Sequence, residues 1–412
     1  MYIYRHAERP LKKLSRHFGA VLVSGPRQVG KTTLVEEEII KKKGGGINQV
    51  SLDDPVILES AQNEGGRFFQ DFKTPVFVDE IQYAPQLFPY IKMIVDKEKR
   101  SGLFYLSGSQ QFQLMKNVSE SLAGRLGIID ILGLSLREME GNRFYEPFCP
   151  TAAYIKTRQK KPPGPGYDQL WKIIWRGSMP KLSARPSFPV RVFYGAYLRT
   201  YIERDVRAII NVGDERKFLA FIRGAAARTG QMLNLVKLAE DTDLSRSTAE
   251  RWLSILVSSN IIYLLKPFSV NIGKREIKAP KLYFLDTGLA AYLIGWDTPE
   301  VLRNGAMGGA FFETFIIAEL LKSYLNAGLE PPFYYYRDKE QREIDLLILR
   351  NGLLHPLEIK MTANPGKNHL RAFSVLDRLA PPYSRGPGGI ICACQESVSL
   401  DKEDRVIPVE YL

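Results

Sequence analysis

The stretch AVLVSGPRQVGKTTLVEEEIIKKK, residues 20–43, decides the fold of the amino-terminal part of the chain. A short apolar run ends in Ser24, a glycine-flanked loop follows, and a helix-forming segment closes the unit. A continuously apolar strand is the mark of a sheet covered on both faces. Gly25-Pro26-Arg27-Gln28-Val29-Gly30-Lys31-Thr32 fits G-x-x-x-x-G-K-[ST], the spacing of a phosphate-binding loop between strand and helix. Its glycines let backbone N–H groups turn onto phosphate oxygens, and the helix N-terminus adds the positive end of its dipole. Lys31 supplies a point charge for the β- and γ-phosphates, and Thr32 offers a hydroxyl to Mg2+. Gly25 through Thr33 are therefore the expected nucleotide contacts.

Working outward, PVFVD (75–79) and LFYLS (103–107) repeat the buried-strand pattern, with helical patterns between them. This alternation predicts a parallel sheet over the first 140 residues. Asp79 and Glu80 follow the second of these strands. Asp79 is placed to hold the Mg2+ shell, and Glu80 to orient and deprotonate an attacking water. Ser107 and Ser109 end the next strand beside the same pocket, at the carboxyl edge of the sheet. Ser109 or Ser107 is the candidate to sense the γ-phosphate or position the water, Ser109 being taken as the catalytic one; a glycine turn with polar flanks is the plain alternative. Arg125, in SLAGRLG, is a candidate arginine finger acting across a subunit interface, which implies a homo-oligomer; a surface arginine is the plain alternative.

Residues 147–167, rich in Pro, Gly and Lys, read as a flexible link or surface insertion. Helical patterns continue to about residue 230. Residues 231–285 then read as helix, turn, helix and hairpin. Ser247-x-x-Glu250 fits a capping box opening the second helix, with Trp252, Leu253 and Leu256 on its apolar face. Arg246, Ser247, Thr248 and Arg251 lie at its polar N-terminal end, the end that meets DNA when such a helix enters the major groove. Lys274, Arg275, Lys278 and Lys281 fall in the following hairpin and read as a basic wing for a phosphate backbone. Helix-turn-helix modules also serve as protein contacts, and that reading stays open.

In the C-terminal part, REIDLLILRNGLLHPLEIK (342–360) alternates apolar and acidic positions around Asn351-Gly352, a two-residue hairpin turn. This turn sets Asp345 opposite Glu358 and Glu343 opposite Lys360. Facing side chains lie roughly 4.5–5.5 Å apart at Cβ, so two carboxylates there need a cation between them. Mg2+ or Mn2+ would meet that need through hard oxygen ligands. Lys360 lies on the same face, and Glu313 on the preceding helix could complete the set. The D…E-x-K spacing of Asp345, Glu358 and Lys360 is that of the PD-(D/E)XK nucleases, with Glu313 as helix acid. A solvated face on which Lys360 neutralises the acids is the alternative.

The 412 residues allow two to four domains, and 45% hydrophobic content is ordinary for a globular protein. Net charge is +12, which favours polyanions such as nucleic acid or an acidic membrane surface; a generally basic solvated surface is the plain alternative. The three cysteines, Cys149, Cys392 and Cys394, have neither disulfide-framework nor zinc spacing, so reduced thiols and a cytoplasmic location are expected. No signal peptide is legible, and no apolar run approaches the ~20 residues of a membrane span.

Over nearly its whole length the chain resembles the prokaryotic AAA+-like ATPases with a C-terminal domain of unknown function. The resemblance is carried by GPRQVGKTT (25–33), FVDEIQ (77–82), LSGSQQF (106–112), SLAGR (121–125), YLRTYIERDV (197–206) and KREIKAPKLYFLDTGL (274–289). FFETFIIAEL, YRDKEQREIDLLI and LEIK complete it. It implies an α/β chain: an AAA+-like P-loop core at 1–140, a linker and helical lid at 141–215, a winged helix-turn-helix at 216–290, and a restriction-endonuclease-like α/β domain at 291–412. It also implies Arg125 as the finger and Arg204 or Asp205 as lid contacts. Two departures are Gly177-Ser178-Met179-Pro180-Lys181, where the family has Gly-Gly-Phe-Pro-Glu, and the insertion at 156–166. The expectation is an ATPase using ATP and Mg2+, coupled to DNA, whose C-terminal domain binds or cuts nucleic acid. The rival is an ATP-controlled protein-interaction switch with an inert nuclease-like domain.

Overall fold

The computed structural model describes residues 2–42, 46–109, 122–160, 164–201, 215–269, 279–378 and 382–412. The expected strands form. Strands β1 (Ala20–Ser24), β2 (Asn48–Ser51), β3 (Val76–Asp79), β4 (Phe104–Gly108) and β5 (Leu126–Asp130) make a parallel sheet in the order β2-β3-β4-β1-β5. Every residue of β1 is buried because both faces are covered. Ala20 and Leu22 enter one apolar cluster with Phe68, Phe104 and Ile91, while Val21 and Val23 enter another with Val29, Ile129 and Leu34. Alternate residues of a strand point to opposite faces, so one pentapeptide serves two cores.

Helices Tyr167–Arg176, Pro180–Ala184, Val190–Tyr201 and Glu215–Ala226 fill the middle of the chain. Residues 152–159 are not a loose link, against the sequence expectation. They form a helix, Ala152–Gln159, capped by Thr151 and burying Tyr154, Ile155 and Arg158. Tyr154 and Arg158 are held by the chain's last residues: the Tyr154 hydroxyl donates to Tyr411 O at 2.9 Å, and Arg158 Nε to the same oxygen at 3.0 Å. The flanking prolines and lysines hid a short helix whose buried Tyr154 also packs edge-on against Phe144 and Phe148.

After helix Glu215–Ala226 come β6 (Gln231–Met232), helices Leu235–Asp241 and Arg246–Ser258, then β7 (Ile262–Leu265) and β8 (Lys281–Phe284). β6, β8 and β7 form a small antiparallel sheet in that order. Trp252 and Leu256 are fully buried, and Trp252 stacks edge-on to Phe218 and Phe221.

The C-terminal part opens with the buried helix Gly308–Leu325. A second sheet holds β9 (Phe333–Arg337), β10 (Glu343–Arg350), β11 (Leu353–Lys360), β12 (Ser384–Arg385), β13 (Gly388–Cys392) and β14 (Asp404–Pro408). Its order is β14-β13-β11-β10-β9, with β12 beside β11. Asn351 (φ 53°) and Gly352 (φ 77°) both adopt the left-handed backbone of the expected turn, and Leu346 pairs with Leu357 as that turn dictates. The larger apolar cluster runs from Ala7 to Leu412, so the segments share one core rather than meeting at solvated seams. Among the described residues no helix is long and apolar enough to cross a membrane.

Candidate nucleotide site and C-terminal acid cluster

The phosphate loop leaves β1 at Gly25, where a Cβ would lie 2.1 Å from the carbonyl oxygen of Ile131; only glycine fits. Gln28 (φ 61°) and Gly30 (φ 89°) take left-handed conformations that turn the chain into helix Lys31–Val35. Lys31 is 6% exposed, and its ammonium donates to Gly25 O at 3.1 Å and Pro26 O at 2.9 Å. The loop thus folds back on its own lysine, which keeps the charge at the centre of the cradle.

Because β4 lies between β1 and β3, the Thr32 side chain must reach across Ser107 to meet Asp79. It does so, donating to Asp79 Oδ1 at 3.1 Å and Oδ2 at 2.9 Å. The fully buried Ser107 hydroxyl also donates to Asp79 Oδ1, and it accepts the N–H of Glu80 at 3.3 Å. Glu80 has φ 58°, unusual for a residue with a side chain. That twist turns its carboxylate away from the strand direction. Gln82, to which the sequence reading gave no role, donates through Nε2 to Glu80 Oε2 at 2.5 Å and to Ser109 Oγ at 3.2 Å. Gln82 Oε1 is buried with no hydrogen-bond partner. Arg27 Nη2 donates to the Tyr83 hydroxyl at 3.2 Å. The hydroxyl of Thr32, next in sequence to the buried Lys31, and the Asp79 carboxylate paired with it fit a metal-bound triphosphate, with Thr32 and Asp79 as the residues that could hold Mg2+.

The amino-terminal segment is sewn to this loop. Arg5 donates through Nη1 to Val29 O at 2.7 Å, through Nη2 to Leu132 O at 2.8 Å, and through Nε to Glu138 Oε1 at 3.1 Å. Burial opposes charge on Glu138, but Arg5, His6 and the Ser135 and His6 amides outweigh it and hold the carboxyl below the usual carboxylate range. Ser178 O accepts from Leu134 N at 2.7 Å. The Ser178 N–H and hydroxyl donate to Asp286 Oδ2 at 2.7 and 2.8 Å. Asp286 Oδ1 takes Tyr194 OH at 2.6 Å and the Leu289 amide at 2.8 Å. Here Gly177 (φ 77°) passes the Tyr194 hydroxyl so closely that a Cβ would sit 2.2 Å from it.

Arg125 lies at the other end of the sheet. It opens β5, beside Ala20 rather than Ser24, and grips Asp96 with Nε to Oδ1 at 2.5 Å and Nη2 to Oδ2 at 3.1 Å. At the start of helix Arg246–Ser258 the cap is Ser245, not Ser247. Ser245 Oγ accepts from Thr248 N at 3.2 Å, so the helix starts two residues before the expected box. Glu250 then sits one turn after Arg246 and pairs with it at 2.9 Å. Arg246, Ser247 and Arg251 are exposed, and Thr248 is half-buried. Lys274, Arg275, Lys278, Arg204 and Asp205 lie outside the described residues.

Lys281 departs most from the sequence expectation. It belongs to no exposed wing: it is 3% exposed and points from β8 into the C-terminal acids. Its Nζ lies 3.3 Å from Glu313 Oε1, 2.6 Å from Glu343 Oε1 and 3.7 Å from Asp345 Oδ1. Lys360 Nζ lies 3.2 Å from Asp345 Oδ2 and 2.8 Å from Glu358 Oε2. The Tyr283 hydroxyl donates to Glu313 Oε1 at 2.5 Å. Glu313, Asp345, Glu358 and Lys360 are brought together, with Glu343 added, but the cations among them are lysines. Among the described residues no group of three or more acidic, His or Cys side chains is disposed to hold a metal ion. Burial works against charge on Asp345, and the Lys281 and Lys360 ammoniums overcome it, holding that carboxyl low. Burial and then the Asp345 charge push Glu358 up to about 8. The second lysine could not be read from spacing, because it comes from a different sheet 64 residues before Asp345.

Residues 17–140 match the family described as AAA domain. Residues 167–300 and 308–412 match two families described as domains of unknown function, DUF8612 and DUF4143. The amino-terminal region is thus similar to AAA domains, in keeping with its parallel sheet and phosphate loop. Two mycobacterial relatives, the uncharacterized proteins Rv2008c of Mycobacterium tuberculosis and Mb2031c of Mycobacterium bovis, are each 28% identical over 395 residues, covering 92% of this chain and 79% of theirs. Among solved structures, the chain is similar to the Walker-type ATPase paby2304 of Pyrococcus abyssi (14% identity, 70% of this chain, 94% of that chain, TM-score 0.44). It is also similar to the Thermotoga maritima RuvB Holliday junction branch migration motor (15% identity, 63% of this chain, 89% of that chain, TM-score 0.30).

Proposed function

We propose that the chain is a Mg2+-dependent ATPase whose nucleotide state governs a winged helix that docks on DNA. The observation that carries the ATPase reading is the contact of Thr32 with Asp79 across Ser107, beside the buried Lys31 ammonium. On binding, Lys31 exchanges the Gly25 and Pro26 carbonyls for β- and γ-phosphate oxygens. Glu80 accepts the proton of a water aligned with the γ-phosphate, and Gln82 fixes that carboxylate while presenting its own unpaired oxygen to the same water. Ser107 holds Asp79 in place. Bound Mg2+, held by Thr32 and Asp79, would supply neutralisation of the β- and γ-phosphate charge. A cavity of about 200 Å3 beside Gly30 and Thr33, lined also by Tyr2, Ile3, Pro180 and Lys181, is a seat of suitable size for the adenine ring.

The order helix, strand, two helices and two strands, with the middle strand of the sheet last in sequence, supports the winged-helix reading. Arg246, Ser247, Thr248 and Arg251 would meet DNA, with Lys274, Arg275 and Lys278 on the wing. The surplus charge of +12 favours such a partner. The second reading, a switch acting on another protein, is favoured by the Arg246–Glu250 ion pair and by the loss of Lys281 from the wing. Phosphate release with and without duplex DNA, on the intact chain, Lys31→Ala and an Arg246→Ala/Arg251→Ala double variant, separates them. ATP turnover that survives Lys31→Ala sinks the ATPase reading. Absence of salt-dependent DNA binding at low ionic strength sinks the DNA reading and leaves the switch.

A further inference from the structure

Three carboxylates, from Glu313, Glu343 and Asp345, converge on one point, and a protein cation already stands there. Lys281 Nζ is within hydrogen-bonding distance of two of them, at 3.3 and 2.6 Å, and within 3.7 Å of the third. A divalent metal demands six or more oxygens at roughly 2.0–2.6 Å and would need these same oxygen atoms. Ammonium and metal therefore exclude each other. Lys360 closes the other side by bridging Asp345 to Glu358, and Arg337 Nη1 lies 3.4 Å from the second oxygen of Glu343. The occupant is built in: β8 is fixed by pairing with both β6 and β7, and Tyr283, two residues along, donates to Glu313 as well.

We infer that the Lys281 ammonium is the resident cation of the C-terminal acid cluster, standing where a divalent metal would sit, so that this site is closed to metal-dependent cleavage and clasps β8 to the C-terminal sheet. The inference does not depend on ATP hydrolysis at Lys31. It concerns a charge that the fold supplies to itself, in a cluster whose spacing alone reads as a metal centre.

Mn2+ titration of the full chain after chelation, followed by calorimetry and by the melting temperature, tests it. The native chain is expected to take up no Mn2+ that Asp345→Asn removes, and to melt at the same temperature with or without chelator. Lys281→Met is expected to melt lower in chelator, to regain stability with Mn2+, and to bind the ion about tenfold or more tightly than the native chain. Asp345→Asn placed on Lys281→Met should abolish that gain. Mn2+ uptake by the native chain that Asp345→Asn removes would overturn the inference, as would a folded Lys281→Met with no gain in Mn2+ affinity. If Lys281→Met does not fold in either condition, the native chain decides alone: uptake sensitive to Asp345→Asn refutes the clasp, and its absence upholds it.

Discussion

Thr32 Oγ1 donates to both carboxylate oxygens of Asp79, across a strand that separates the two in the sheet. Neither residue approaches the other along the chain. Ser107, on the intervening β4, joins the contact through its hydroxyl, which donates to the same carboxylate. The contact brings together a hydroxyl and a carboxylate, the oxygen donors by which a nucleotide-bound cation is held.

Lys31→Ala removes the ammonium that the loop folds around, and is expected to abolish ATP binding and lower hydrolysis by at least about 100-fold. Fluorescent-nucleotide titration and phosphate release check it, with an unchanged melting temperature showing that the fold survives.

Glu80→Gln keeps the shape of the site and removes the proton acceptor. Turnover should fall about 10²–10⁴-fold while ATP affinity stays within a factor of a few. A parallel loss of affinity would show that Glu80 holds the nucleotide rather than the water.

Gln82→Ala frees the Glu80 carboxylate and removes the unpaired acceptor beside it. Hydrolysis is expected to drop about tenfold with the Kd for ATP unchanged, because the residue positions rather than binds. A full-rate variant would show that Glu80 needs no such support.

Asp286→Ala leaves the Ser178 amide and hydroxyl, the Tyr194 hydroxyl and the Leu289 amide without their acceptor. A destabilisation of about 3 kcal/mol is expected from stranding several buried donors at once. Urea unfolding measures it, and a change below about 0.5 kcal/mol would mean that water replaces the carboxylate.

Glu138 has its carboxyl held below the unfolded value, so the stability it confers is complete above about pH 4.3 and drains away as acid takes the pH down through the folded value. Melting temperature followed downward from neutral pH should decline more steeply for the native chain than for Glu138→Gln, which carries no proton-linked term at this position.

Much of this architecture is written locally. AVLVS, the loop to Thr32 and the acids after VFVD each declare their element and their place at the sheet edge, since apolar continuity and glycine geometry are short-range properties. Asn351-Gly352 likewise dictates the register that brings Asp345 toward Glu358. What sequence reading missed depends on distant partners. Ser245 rather than Ser247 caps the second helix, and Trp252 on that helix packs against Phe218 and Phe221 from an earlier one. Helix Ala152–Gln159 is held both by Phe144 and Phe148, which pack on Tyr154, and by the distant carbonyls of residues 410 and 411. Lys281 looks like one more surface cation until β8 places it among three acids from two other elements.

The placement of Lys281 bears on how the protein can be handled at the bench. A recombinant fragment ending near residue 290 would retain this ammonium and discard all three of its counter-ions. The complementary fragment would keep the carboxylates crowded together, and would take Leu412, Tyr411 and Glu410 away from Arg137 and Arg158, which donate to their carbonyls. Stranding charges in this way costs about 3–5 kcal/mol apiece where they stay buried. Matched halves produced together, or the uncut polypeptide, are thus the material on which its enzymology should be done.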